Sequence, residues 1–292
     1  MTVAIPVYNE KRFVAEAIQS VLDQTFANFE LLISDDASTD GSAEICAALA
    51  AQDARIRFIR QPANLGAFLN LKYVTDQAQA PLLVWLAQDD KLDCRYLEEC
   101  LRQMALNPAN VLVSSDFRII DEAGNLICTE RLDSIRAAIP WRTRRAEFFK
   151  FPVYSNIFYA FYGMVRTTAC QSMFSELKRP RFMSQIELPV LARLATAGEI
   201  CSFAPDLRFY RRVGTSLFHT ELKLLRAQSR IRQIAIVALH FGRLIADQVS
   251  VLLRSSLPVT VKLGILSRLA YFYLVRCVVL VARGKQYDAP HD

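Results

Sequence analysis

The chain has 292 residues, of which 52% are hydrophobic and 22% charged, with a formal net charge of +6. Such a composition excludes a disordered, collagen-like or disulfide-stapled chain and fits a folded protein with apolar residues to spare. The charge is uneven: Leu217 to Asp292 holds eleven Lys/Arg against four Asp/Glu, a surplus of +7, leaving −1 for residues 1–216. Because that basic tail is also rich in Leu, Val, Ile and Phe, it suits an anionic membrane surface better than nucleic acid.

The first half alternates strand and helix. Thr2 to Val7 reads as a strand and Val14 to Leu22 as a helix, with apolar residues at Val14, Ala17, Ile18, Val21 and Leu22. Strands are predicted over 29–34, 55–60 and 81–86, and helices over 42–50, 68–79 and 94–106. This order predicts an open, mostly parallel α/β sheet flanked by helices. Ligands bind such sheets beyond the carboxyl ends of the strands. The loops after Val7, Ser34, Arg60 and Leu86 are therefore expected to meet at one crevice. All four are polar: Tyr8-Asn9-Glu10, Asp35-Asp36-Ala37-Ser38-Thr39-Asp40-Gly41, Pro62-Ala63-Asn64-Leu65-Gly66 and Gln88-Asp89-Asp90.

The second half is less regular. Strands over 111–120 and 126–128 flank a hairpin turn, Asp121 to Asn125. Residues 130–150 read as an Arg-rich loop with a short helix, and 161–165 as a strand. A helix over 183–197 is closed by Gly198, and short strands follow over 200–203 and 208–212. The chain changes character near Ser216. Residues 222–253 are helical in pattern, with a stripe of Ile231, Ala235, Ala238, Ile245, Val249 and Leu252, and Pro258 breaks that pattern. Over 259–282, at about 100° per residue, Lys262, Arg268, Arg276 and Arg283 fall within an arc of about 120°. No stretch there is both long and uncharged enough to span a bilayer. An amphipathic helix pair at a membrane surface and a helical cap packed on the body or on a second subunit are the two readings.

Seven cysteines without a C-x-x-C pair suggest neither disulfides nor a zinc site, and a reducing compartment follows. Met1 runs at once into a strand-like segment, so no secretory leader is expected. The expected location is cytoplasmic, peripheral at the inner face of the cell membrane.

Taken in order, these loops resemble glycosyltransferase family 2, whose members have the GT-A fold. Ala4 to Glu10 is similar to the family's first strand and loop, and Ala17 to Phe26 to its first helix and exit. Leu32 to Ser42 resembles its second strand and acidic loop, with Ala37 where Gly is common. Gln88-Asp89-Asp90 resembles its D-x-D-type motif. Glu187 to Ala195 is similar to a late helix that begins with an acid, and Phe209 to Arg212 to the strand that follows. Two departures stand out. Val213-Gly214-Thr215-Ser216 lacks the His that often follows that strand, and Ile186-Glu187 stands where Asp, often preceded by Glu, is usual.

The resemblance implies residues 1–216 as a GT-A domain, with a nucleotide-binding half over 1–106 and an acceptor-side half over 107–216. Residues 217–292 form the helical tail. It implies an inverting transferase that moves a sugar from a UDP- or dTDP-sugar to a hydroxyl of a surface-glycan or lipid-linked acceptor. Asp90 is the implied ligand of Mn2+ or Mg2+, hard ions that take one or two carboxylates plus phosphates. Asp89 faces the ribose or shares the metal. Asp36 accepts the N3–H of the base in a charge-assisted bond. Pro6, Tyr8 and Glu10 line the base pocket, with Asn64 and Gly66 beside them. Glu187 is the base for the acceptor hydroxyl.

Plainer roles stand beside these. Asp89 or Asp90 caps the next helix, and Asp40 suits an N-cap. Asp35 and Asp36 serve a turn, Tyr8 only packs, and Glu187 is a first-turn acid favoured by the helix dipole. Arg211 and Arg212 approach a diphosphate or pair on the surface. His219, His240 and His291 have no paired spacing that would make a metal site. A non-catalytic nucleotide-sugar-binding module or membrane scaffold is the alternative function. A Rossmann dehydrogenase lacks support, because no G-x-G-x-x-G follows the first strand.

Overall fold

The structure is a computed structural model that describes residues 1–148, 156–177, 186–213, 246, 249–255 and 257–267. The first half contains β1 (Thr2–Val7), α1 (Val14–Leu22), β2 (Glu30–Asp35), α2 (Ser42–Ala50), β3 (Ile56–Arg60), α3 (Ala67–Gln77), β4 (Leu82–Trp85), β5 (Lys91–Leu92) and α4 (Tyr96–Leu106). The second half contains β6 (Asn110–Ile120), β7 (Leu126–Glu130), α5 (Trp141–Glu147), β8 (Met164–Arg166), α6 (Thr167–Glu176), α7 (Glu187–Ala197) and β9 (Glu199–Arg211).

One sheet runs in the order β3-β2-β1-β4-β8-β6-β9-β5, with β7 beside β6. The block β3-β2-β1-β4 is wholly parallel, so the four loops after these strands leave the same edge. Beyond it, β8 joins β4 and β6 antiparallel, while β6 and β9 are parallel.

Strand residues alternate between two apolar layers, as the period of two requires. Val3, Ile5, Leu31, Ile33 and Val84 pack with α1, α2 and α4 through Val14, Ile18, Cys46, Leu97 and Cys100. Ala4, Leu32 and Leu83 face the other way, toward Phe68, Val74, Met173, Phe174, Leu191 and Leu194 from α3, α6 and α7. Trp85 is buried in that second layer. It stacks on Phe161 at 4.5 Å between ring centroids and donates its indole N–H to Thr75 Oγ1 at 3.1 Å.

Three second-half expectations change. Residues 161–165 are not one strand: a 3-10 turn over Asn156–Tyr162 ends there and β8 begins at Met164. Gly163 lies between them, where a Cβ would collide with the Val113 carbonyl. The two short strands over 200–203 and 208–212 are one, β9, which absorbs the Ala204-Pro205 interruption through register shifts against Ser115, Asp116 and Phe117. Helix α6 was not predicted. It buries Cys170, Met173 and Phe174.

In the tail, residues 249–254 and 259–267 are helical, and Leu257-Pro258 separates them as expected. Leu252 and Ile265 are buried in the same apolar layer as α3, α6 and α7. Ile231, Ala235, Ala238, Ile245, Arg268, Arg276, Arg283, His219, His240 and His291 lie outside the described residues. Among the described residues, no helix is long and apolar enough to cross a membrane.

Candidate functional site

The four loops do meet. Asp36 follows β2 directly, its N–H donated to the Val7 carbonyl at 2.8 Å. Its buried carboxylate accepts the N–H groups of Leu65 at 2.7 Å and Gly66 at 2.9 Å, joining the loop after β2 to the loop after β3. Gly66, with φ +85°, closes that turn at the start of α3. Asn64 beside it is exposed. Pro6 lies in β1 opposite Ser34 of β2 and is partly exposed at the strand's end.

Loop 8–11 is held by side chains rather than by a ladder. Successive N–H groups of Tyr8, Asn9, Glu10 and Lys11 donate to Gln88 Oε1 (2.6 Å), Ser38 Oγ (2.9 Å), Ser42 Oγ (2.8 Å) and Asp40 Oδ2 (3.0 Å). Asn9 Oδ1 in turn accepts the Thr39 N–H at 2.9 Å. Asp40 also accepts the Ser42 N–H and hydroxyl. It therefore feeds the start of α2 from one residue before the N-cap, which is Gly41. Partial burial works against Asp40's charge, but the bonds from Ser42 and Lys11 hold its carboxyl below the usual range.

The acidic turn sits beside this loop. Asp90 is buried and Asp89 partly so. Burial, and then the charge of Asp89, hold the Asp90 carboxyl well above the usual carboxylate range. Burial raises Asp89 as well. Glu10 faces the pair: its carboxyl is raised by burial first and then by Asp89. Tyr8 stands 47% exposed at the rim.

Arg211 binds the turn in place. Its main-chain N–H donates to Asp90 Oδ1 at 2.8 Å and its guanidinium Nε to the Asp89 carbonyl at 2.9 Å. The same guanidinium reaches the Asp121 and Glu122 carbonyls and the Glu16 carboxylate, and its carbon lies 4.4 Å from the Phe13 ring centroid. Arg211 is thus a buried brace, neither a surface pair nor an open phosphate ligand, while Arg212 is exposed.

A small crevice beside Asp90 is lined by Trp85, Phe117, Tyr159, Tyr162, Phe209 and Tyr210. Arg208 also lines it, buried, with no hydrogen-bond partner for its Nε among the described residues. Glu187 opens α7 as its first residue and is partly buried. The Tyr162 phenol is raised by burial first, then by the charges of Glu187, Asp90 and Asp89. Glu187 and the acidic turn therefore act on one side chain, from residues distant in sequence. Gln88, Ser38, Ser42, Tyr159, Tyr162 and Arg208 were not singled out from sequence. Gln88 and Ser38 lay inside the loops already noted and Ser42 opened the helix that follows one, but the polar bonds that distinguish them run between loops.

Comparison with known proteins establishes the fold and the family. A relative from Streptococcus pneumoniae, glycosyltransferase GlyG, is 25% identical over 236 residues, 77% of this chain and 74% of its own. TuaG of Bacillus subtilis, named for teichuronic acid biosynthesis, is 33% identical over 104 residues, 36% of this chain and 41% of its own length. The crystal structure of S. aureus TarS 1–349 in complex with UDP-GlcNAc superposes with a TM-score of 0.66 at 15% identity, covering 93% of this chain and 71% of that one. The fold is therefore GT-A. The sequence profile of glycosyl transferase family 2 matches residues 2–170, more than half of the chain and all four strand-end loops, and the chain belongs to that family.

Proposed function

We propose that the chain transfers a sugar from a UDP- or dTDP-sugar to a hydroxyl of a surface-glycan or lipid-linked acceptor, with inversion. The observation that carries this reading is the stitching of the Asp36 loop, the Tyr8–Lys11 loop and the Asp89–Asp90 turn into one edge of a parallel sheet. Asp36, with Pro6, Tyr8, Glu10 and Asn64 around it, takes the base and ribose. Asp89 and Asp90 take the diphosphate end. TarS structures hold UDP-GlcNAc and UDP, which supports a nucleotide-sugar donor here, and TuaG is named for teichuronic acid biosynthesis, which supports a glycan acceptor.

The acidic turn fits a hard divalent cation, Mn2+ or Mg2+. Burial raises both adjacent carboxyls and the charge of Asp89 raises Asp90 further, so a cation beside them would offset the cost of ionising the pair. Among the described residues no group of three or more such ligands is assembled, so the diphosphate and water would complete the shell, as is usual for Mg2+. When bound, the ion would neutralise charge developing on the leaving diphosphate. Arg208 and Arg211 supply the chain's own positive charge beside Asp90.

Glu187 is the base we assign to the acceptor hydroxyl, and the tyrosine-lined crevice beside Asp90 is where that hydroxyl approaches. The test uses UDP-GlcNAc, UDP-glucose and UDP-galactose with water or cell-envelope glycan as acceptor, and reads UDP release and the product anomer by NMR. Glu187→Gln should lower release by about 10²-fold or more while leaving UDP affinity unchanged, and the anomer should be inverted. Release unaffected by Glu187→Gln would remove that role. UDP binding with no release from any donor would favour a non-catalytic module.

The tail's +7 surplus and the exposed Leu253, Val259 and Leu263 support contact with an anionic membrane surface. Sedimentation with phosphatidylglycerol vesicles, lost at high salt, is expected; absence of binding at low salt would leave only the packed cap.

A further inference from the structure

Tyr8 stands at the sheet edge with almost half of its surface exposed, so packing restrains it only in part. Its backbone, by contrast, is gripped at both polar groups by one side chain. The Gln88 carboxamide accepts the Tyr8 N–H at 2.6 Å and donates back to the Tyr8 carbonyl at 3.2 Å. The clamps on the next three residues come from the loop after β2 and the first residue of α2. The clamp on Tyr8 comes from the acidic turn itself, one residue before Asp89. Gln88 has both a donor and an acceptor on one planar group, which is what a two-way bond to a single residue's main chain requires.

We propose that Gln88 is the positioning residue for Tyr8: by holding both main-chain polar groups it fixes the ring that the nucleotide's base rests against, and it ties the base end of the site to the diphosphate end. This rests on the donor-site reading above. Gln88 touches no base. It acts by ordering Tyr8 before the ligand arrives, so its removal leaves that ordering to be done on binding.

The proposal separates from a general structural role in two measurements. Hydrogen exchange on the free protein should show the Tyr8 amide losing protection in Gln88→Ala, with Asn9, Glu10 and Lys11 unchanged. Titration with uridine, which has no phosphate to engage Asp89 or Asp90, should show affinity about five- to tenfold weaker in Gln88→Ala. In a Tyr8→Ala background the same substitution should cost less than twofold, because the ring it positions is gone. Unchanged Tyr8 protection overturns the clamp. Equal losses in the two backgrounds, or none in either, overturn the positioning role while the donor site stands. Failure of the wild type to bind either uridine or UDP overturns the donor site and this inference with it.

Discussion

Ala37 pays a conformational cost for its place between two site residues. Its φ is +59°, the left-handed region that disfavours a Cβ. The backbone turns there so that Asp36 can face Leu65 and Gly66 while Ser38 reaches the Asn9 N–H. Ala37→Gly should therefore raise stability by about 0.5–1 kcal/mol, after allowing for the greater freedom of glycine in the unfolded chain. Urea unfolding checks this; a loss of stability would mean that the methyl group packs usefully. At this scale much of the site was legible. Asp36, Tyr8, Asp89 and Asp90 stand at strand ends, and strand ends follow from continuous apolar runs, buried on both faces, that stop at polar residues. Arg211 was not legible as a brace. Its bond to Asp89 spans 122 residues, and no local pattern records a contact of that separation.

Among the elements, β9 does two jobs. Its first half lies in the core beside β6, and its end delivers Arg211 to the acidic turn and Tyr210 to the crevice. Reading it as two strands was natural, because Ala204-Pro205-Asp206 looks like a turn. Pairing with β6 continues past it because register shifts accommodate the extra residues. Helix α6 escaped notice for another reason: its sequence, Thr-Thr-Ala-Cys-Gln-Ser-Met-Phe-Ser-Glu, mixes weak helix formers with few apolar residues. Tertiary packing of Cys170, Met173 and Phe174 supplies what propensity does not. The brace predicts a specific loss. Arg211→Met should cost about 3 kcal/mol in unfolding free energy, since it strips a partner from the Asp89, Asp121 and Glu122 carbonyls and from the part-exposed Glu16 carboxylate, while the main-chain bond to Asp90 remains. Arg211→Lys should recover less than half, because an ammonium lacks the planar fork that reaches several acceptors at once. Equal stability of the lysine variant and wild type would show that charge alone suffices.

For the molecule as a whole, the parallel block was legible and the tail only in part. Alternation of strand and helix fixes a parallel sheet by connection geometry. Tail placement depends instead on which apolar face meets which. Leu252 is fully buried in the layer shared with α3, α6 and α7, whereas its neighbour Leu253 is 57% exposed. Leu252→Ala should then destabilise the body in one cooperative transition by about 2–5 kcal/mol, and Leu253→Ala should stay within about 0.5 kcal/mol. Similar effects of the two would argue against a tail docked on this layer. The site proposed at the strand-end loops is a cation-assisted nucleoside-diphosphate site. Calorimetric titration of UDP into the wild type and Asp90→Ala, with and without Mn2+, is its decisive test. The prediction is binding that Mn2+ strengthens at least about tenfold in the wild type and does not strengthen in the variant. UDP binding that responds equally to Mn2+ in both proteins would contradict Asp90 as the cation's ligand, and no binding of UDP to the wild type in either condition would contradict the site itself.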